Sequence, residues 1–250
     1  MPNNGRLMTG YPDLDAITGG FRDSDVIVLA ARPSQGKSAL ALNIAMNVAL
    51  EREPVLFFSL EMSAERIAAR VLANRSKCEA CFLGQTDDPE VWLRISTALA
   101  ELENSPLFIT ERAPLTIHHV KGITRRMARL HPLALVVIDY VELMNPSRGH
   151  KNENAELTEI SQSLRELVCE LGVPILLVSQ ATRQKALEAD ADVVIFLHRQ
   201  PSLAHDQGVS HEEVKILVGK NRNGPTGRLG LIFRKEYVRF ESIKREAQDG

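Results

Sequence analysis

The chain has 250 residues, 44% hydrophobic and 25% charged, the balance of one soluble globular domain large enough to bury a sizeable core, which excludes disordered and fibrous classes. Thirty lysines and arginines against 32 aspartates and glutamates leave a net charge of −2, so any polyanion site has to be local rather than a property of the whole chain. Three cysteines, Cys78, Cys81 and Cys169, make no disulfide framework, and with neither a signal-peptide core nor a run of about 18 apolar residues the expectation is a cytoplasmic protein without membrane contact.

In chain order, apolar and β-branched runs of strand length fall at residues 25–31, 54–60, 107–110, 133–140, 174–180 and 192–199. Continuous runs of this kind suit strands covered on both faces. Between them, residues 39–50 are apolar nearly all round, as in a buried helix, and Leu157, Ile160, Leu164, Leu167, Val168 and Leu171 repeat at helical spacing. Strand and helix alternating over this length predict a single α/β domain with a largely parallel sheet and right-handed crossovers. The pattern changes after residue 199: runs at 213–218, 228–234 and 237–243 are separated by short turns such as Asn223-Gly224-Pro225, which predicts antiparallel strands at the end of the sheet. The polar stretch 145–154 reads as a long exposed loop before a helix.

The first of these strands runs into Ala31-Arg32-Pro33-Ser34-Gln35-Gly36-Lys37-Ser38 and then into the apolar helix. That is the context of a phosphate-binding loop. Gly36 lets the backbone approach a phosphate, the helix N-terminus supplies partial positive charge, Lys37 supplies a full one, and the Ser38 hydroxyl can ligate Mg2+. Ala31 stands where the usual first glycine would be. A partner acid at the end of a buried strand completes such a site, and Leu135-Val136-Val137-Ile138-Asp139 has that form. The run 55–60 ends in Glu61, a carboxylate at the sheet edge where open α/β folds bind ligands. With Ser63 and Glu65 behind it, Glu61 equally fits the start of the next helix. Ser179-Gln180 end another strand, where an amide can contact a terminal phosphate.

Together, Thr9-Gly10-Tyr11-Pro12-Asp13-Leu14-Asp15, residues 31–38, Ser59-Leu60-Glu61-Met62-Ser63, Val137-Ile138-Asp139-Tyr140 and Lys220-Asn221-Arg222-Asn223-Gly224-Pro225 resemble the RecA-like motor domain of DnaB-type replicative helicases over nearly the whole chain. The alanine at the head of the phosphate loop is usual there. The resemblance implies a RecA-like P-loop NTPase that uses ATP or another NTP with Mg2+, assembles as a ring hexamer, and translocates 5′ to 3′ on single-stranded DNA, with primase and a helicase loader as further partners. It implies that residues 32–38 hold the nucleotide, that Ser38 and Asp139 hold the metal, that Glu61 is the catalytic base and that Gln180 senses the terminal phosphate. Lys220 and Arg222 then reach the neighbouring subunit's site, Arg222 as an arginine finger.

Two departures from the family pattern accompany the likeness. The sequence begins just ahead of the motor, so a single motor domain without the family's N-terminal helical domain and linker helix is expected. From Gln180 it also passes almost directly to Ala189-Asp190-Ala191-Asp192, where the family has a longer loop facing DNA. A RecA-fold regulator or loader that binds nucleotide and a protein partner without unwinding is the alternative, favoured by that short connection, whereas the Lys220 and Arg222 pair favours the motor. Other candidates read as ordinary structure. Residues 214–250 hold nine lysines and arginines against four acids, equally an alternating strand edge or a DNA surface, and Arg125, Arg126 and Arg129 share that ambiguity. Cys78 and Cys81 have no second pair for zinc, and His118, His119, His198, His205 and His211 show no ligand spacing. Tyr237, expected in a terminal strand, either packs there or stacks on the nucleotide base.

Overall fold

A computed structural model describes residues 5–79, 87–111, 115–144, 153–183, 185–199 and 211–243. A small antiparallel pair, β1 (Arg6–Leu7) and β2 (Phe21–Arg22), flanks helix α1 (Pro12–Thr18). There follow β3 (Val26–Ala31), α2 (Lys37–Leu50), β4 (Val55–Ser59), α3 (Ala64–Ser76), α4 (Pro89–Glu103), β5 (Leu107–Glu111), α5 (Ile117–Leu130) and β6 (Leu135–Asp139). A 3-10 turn at Val141–Leu143 precedes α6 (Glu153–Leu171), β7 (Ile175–Gln180), single-turn α7 (Lys185–Glu188) and β8 (Val193–Arg199). The last described elements are β9 (His211–Asn221), β10 (Gly227–Arg234) and β11 (Arg239–Ser242).

Nine strands form one sheet in the order β11-β10-β9-β8-β3-β7-β6-β4-β5. The six from β8 to β5 are parallel, and β9, β10 and β11 extend the β8 side antiparallel. Every residue of β3, β4 and β6 is buried, because helices cover both faces and a continuous apolar run leaves neither side for water. Along β3 the pleat sends Ile27, Leu29 and Ala31 to the core under α2, and Val26, Val28 and Ala30 to the core under α5 and α6. In β9 only Val214, Ile216 and Val218 are buried, the alternation of a strand covered on one face.

Helix α2 is buried along most of its length, from Ala39 to Ala49 with only Asn47 partly exposed, since the sheet covers one side and the β10–β11 hairpin lies across another. Asn43 ties the two together: its Nδ2 donates to Val238 O at 3.0 Å, and its Oδ1 accepts from Phe240 N at 2.9 Å. The hairpin is where the structure corrects the sequence reading of Tyr237. It sits in the turn between β10 and β11, not in a strand, because Arg234 and Arg239 already pair as the last rung and the intervening residues have to reverse the chain. Helices α3 and α4 form a pair between β4 and β5. Of the expected 145–154 loop, residues 145–152 lie outside the described residues, as do Cys81 and His205, and its last two residues already belong to α6, which begins at Glu153.

Candidate functional site

Four strands deliver candidate groups to one edge of the sheet. At the end of central β3 the chain turns through residues 32–36 into α2, with Ser34 at φ 60° and Gly36 at φ 99°. An added Cβ at Gly36 would lie 3.3 Å from Phe240 Cζ, tight enough that the ring would have to give by a few tenths of an ångström, and the positive φ itself favours glycine. The amino end of α2 faces a cavity of about 510 Å³ lined in part by Ser34, Gly36, Lys37, Ser38 and Glu61. Arg32 and Pro33 are exposed and are not among the residues lining it. The Gln35 side chain is committed elsewhere, its Oε1 accepting Arg199 N at 2.6 Å and tying the loop to the end of β8.

Beneath the loop, the Ser38 hydroxyl donates to Asp139 Oδ1 at 2.9 Å, bringing together two groups 101 residues apart in the sequence. Asp139 is 3% exposed. Burial pushes its carboxyl up to about 6, against the lowering effects of the Ser38 hydroxyl and the Lys37 charge and with the Glu61 charge adding to the rise. Lys37 Nζ lies 5.2 Å from the Tyr140 ring centroid. A hydroxyl and a carboxylate side by side are hard oxygen donors suited to Mg2+, so the residues fit the metal that the phosphate loop calls for. Glu61 is exposed at the mouth, two residues before Ser63, whose side chain accepts Arg66 N as the N-cap of α3. Both readings of this segment therefore have a structural basis: Ser63 starts the helix, and Glu61 lines the cavity.

Gln180 ends β7 directly beside Ala31, and Ala181 N donates to Ala31 O at 3.0 Å. The sequence reading passes over the group that holds this strand end. Glu142 Oε1 accepts from Ser179 Oγ and from Gln180 N, both at 2.6 Å. It also passes over Arg66 and Arg70, one helical turn apart on α3, and Arg199, all lining the cavity. The spacing of four between Arg66 and Arg70 on the helix after Glu61 is the signal that could have found that pair. Tyr237 lines a separate cavity, with Tyr11, Asn74 and Arg239; the hairpin residues that line the phosphate-loop cavity are Phe233 and Val238, while Phe240 packs against Gly36.

Lys220 and Arg222 lie at the opposite edge. Because β9 runs antiparallel, Lys220 stands opposite Val194 and Asn221 opposite Val193, next to Ile27 at the start of β3. Four residues of strand, ~13 Å, separate Ile27 from Ala31. The two side chains meet on one stretch of backbone: Lys220 Nζ donates to Glu188 O at 2.5 Å, and Arg222 Nη2 donates to Ala189 O at 2.9 Å. Neither reaches its own phosphate loop.

The model of the DnaB-like helicase C-terminal domain family matches residues 6–242. The chain belongs to that family. The replicative DNA helicase DnaB of Geobacillus stearothermophilus is 37% identical over 96% of this chain, and the chain spans 57% of that protein's length. Among solved structures, a DnaB-like replicative helicase, described with its interactions with primase, superposes with a TM-score of 0.87 at 28% identity, covering 95% of this chain and 62% of its own. A separately solved ATPase domain gives 0.87 and 28% over 96% of this chain and 93% of that one. The expected fold, a RecA-like P-loop NTPase with a largely parallel central sheet and antiparallel C-terminal strands, is the fold found.

Proposed function

We propose that the chain is the ATP-hydrolysing motor of a replicative DNA helicase, acting as a ring hexamer that translocates 5′ to 3′ on single-stranded DNA in the cytoplasm, with primase and a loader as further partners. The observation that supports this most is the separation of two half-sites. The carboxyl edge carries everything a phosphate group needs from one subunit, whereas Lys220 and Arg222 stand at the amino edge, too far away to serve it. A head-to-tail contact repeated around a closed ring sets one subunit's amino-edge cations against the next subunit's loop.

In this reading the backbone amides after Ser34 and the Lys37 ammonium hold the phosphates, and Ser38 with Asp139 holds Mg2+. The metal, when bound, neutralises charge on the phosphate oxygens. Glu61 accepts the proton of the attacking water at its carboxylate. Gln180, whose backbone N–H is held by Glu142, carries the state of the terminal phosphate through its side-chain amide into the connection after β7. The neighbour's Arg222 stabilises the charge spread over the transferred phosphoryl group, so turnover depends on assembly. Mixing Lys37→Ala with Arg222→Ala, in nucleotide and single-stranded DNA, tests the arrangement. Each alone is expected to be inactive or nearly so, and the mixture to regain part of the turnover, because one variant supplies an intact loop and the other an intact finger. No recovery at any ratio would show that Arg222 does not act across an interface.

A further inference from the structure

Asp192 immediately precedes β8 and is 5% exposed. Its carboxylate collects donors from three separate parts of the chain. Arg165 of α6 donates through Nη1 to Oδ2 at 2.5 Å and through Nη2 to Oδ1 at 2.9 Å. Val26 N, at the foot of β3, donates to Oδ2 at 2.9 Å. Arg222 Nη1 lies 3.4 Å from Oδ1, and Arg222 N donates to Asp192 O at 2.9 Å. The forked contact with Arg165 leaves the carboxylate one orientation, and Arg165 is anchored in turn on Ser24 O at 3.1 Å. Burial alone would raise this carboxyl, but the Arg165, Val26 and Arg222 contacts hold it below the usual carboxylate range.

Two cations on one short stretch of backbone repel each other, and burial, with that repulsion, holds Lys220 below its usual range. Asp192 is the carboxylate that both contacts Arg222 and is itself fixed by a second arginine. We infer that Asp192, braced by Arg165, is a positioning residue for the Lys220 and Arg222 pair, holding the guanidinium at the amino edge where a neighbouring subunit's nucleotide meets it. The inference rests on the trans reading of Arg222 given above. It adds that the arginine finger is aimed by a buried carboxylate anchored to the foot of the phosphate-loop strand.

Directional complementation with Asp192→Asn tests it. The amide keeps the size and one acceptor oxygen but loses the charge that faces Arg165 and Arg222. Nucleotide affinity and KM are expected to stay within about twofold of the parent, while kcat falls by about tenfold or more, the scale of a misplaced group. Mixed with Lys37→Ala, whose finger is intact, Asp192→Asn should regain turnover; mixed with Arg222→Ala it should not, since neither partner then offers a sound finger. The reverse pattern would place the damage in the variant's own phosphate loop and overturn the inference, as would an unchanged kcat or recovery with neither partner. The mixture of Lys37→Ala and Arg222→Ala runs alongside: silence there removes the trans finger, and this inference with it, whereas recovery there with the wrong pattern for Asp192→Asn removes this inference alone. Because Asp192 also satisfies Val26 N, Arg165→Gln serves if Asp192→Asn does not fold. It is expected to show the same one-sided complementation, with Arg165→Lys restoring part of kcat, and any other pattern overturns the inference.

Discussion

Glu61, the proposed base, is where function and stability should separate. It is exposed and stands outside α3, whose first turn is capped by Ser63. Glu61→Gln is therefore expected to leave the melting temperature unchanged and to keep nucleotide affinity, while turnover falls by a factor of roughly 10² or more, the contribution of a positioned base. Loss of binding with turnover per bound nucleotide intact would make the residue structural instead. Asn43 is the opposite case. It is 3% exposed and receives Phe240 N and Asn74 Nδ2 while donating to Ala39 O and Val238 O. Asn43→Ala leaves the buried Phe240 N–H without its acceptor, at an expected loss of roughly 2–3 kcal/mol in urea denaturation. Nothing in the sequence marks Asn43, since an asparagine within an apolar helix shows its worth only when the hairpin it holds is in place. Lys37, Ser38 and Asp139 are legible as candidates because their chemistry is tied to local context: strand, loop and helix start, or the end of an apolar strand.

At the level of elements, the hairpin and the phosphate loop depend on each other. Gly36 adopts φ 99°, and a Cβ there would stand 3.3 Å from the Phe240 ring. Gly36→Ala is expected to cost roughly 1–2 kcal/mol from the backbone alone. It should also raise the nucleotide dissociation constant, because the loop and Phe240 cannot both keep their positions. Thermal denaturation and nucleotide titration of the same variant check the two effects. Hydrophobic periodicity located β3, β4, β6 and β7 to within a residue or two, since both faces of these strands are covered, but it ended β9 three residues short of Asn221 and did not mark the two-residue strands β1 and β2. It misplaced Tyr237, because an aromatic residue fits a strand and a turn packed against a neighbour equally well, and the rung that ends the strand is set by pairing between β10 and β11. Helix α4 escaped the sequence reading: Trp92, Leu93 and Leu99 are exposed, so its apolar residues do not mark a single buried stripe.

For the whole molecule, a net charge of −2 gives no general attraction to DNA, so the proposed binding would have to come from local contacts repeated around the proposed ring. If several phosphates are neutralised, affinity for single-stranded DNA should fall by about tenfold or more between roughly 50 and 200 mM salt, following the release of counterions. A binding isotherm that does not shift with salt would argue for stacking, or for no phosphate-contacting surface at all. In the proposed ring, assembly has the same logic as the two sheet edges: Lys220 and Arg222 stand at the edge opposite the phosphate loop, so a head-to-tail contact is what would bring one subunit's cations to the next subunit's loop.

Local chemistry decided the phosphate loop, the buried helix behind it, the strand ending in Asp139 and the change from parallel to antiparallel strands. Each follows from neighbours within about ten residues, where periodicity and turn residues act directly. Which groups meet across the chain was left to the tertiary structure: Ser38 with Asp139, Glu142 with Gln180, and Asp192 with Arg165, Val26 and Arg222. It also decided that Lys220 and Arg222 stand at the sheet edge opposite the phosphate loop, because the edge of the sheet on which a strand ends depends on the direction it runs, and that direction is set by pairing between strands rather than by the residues within one.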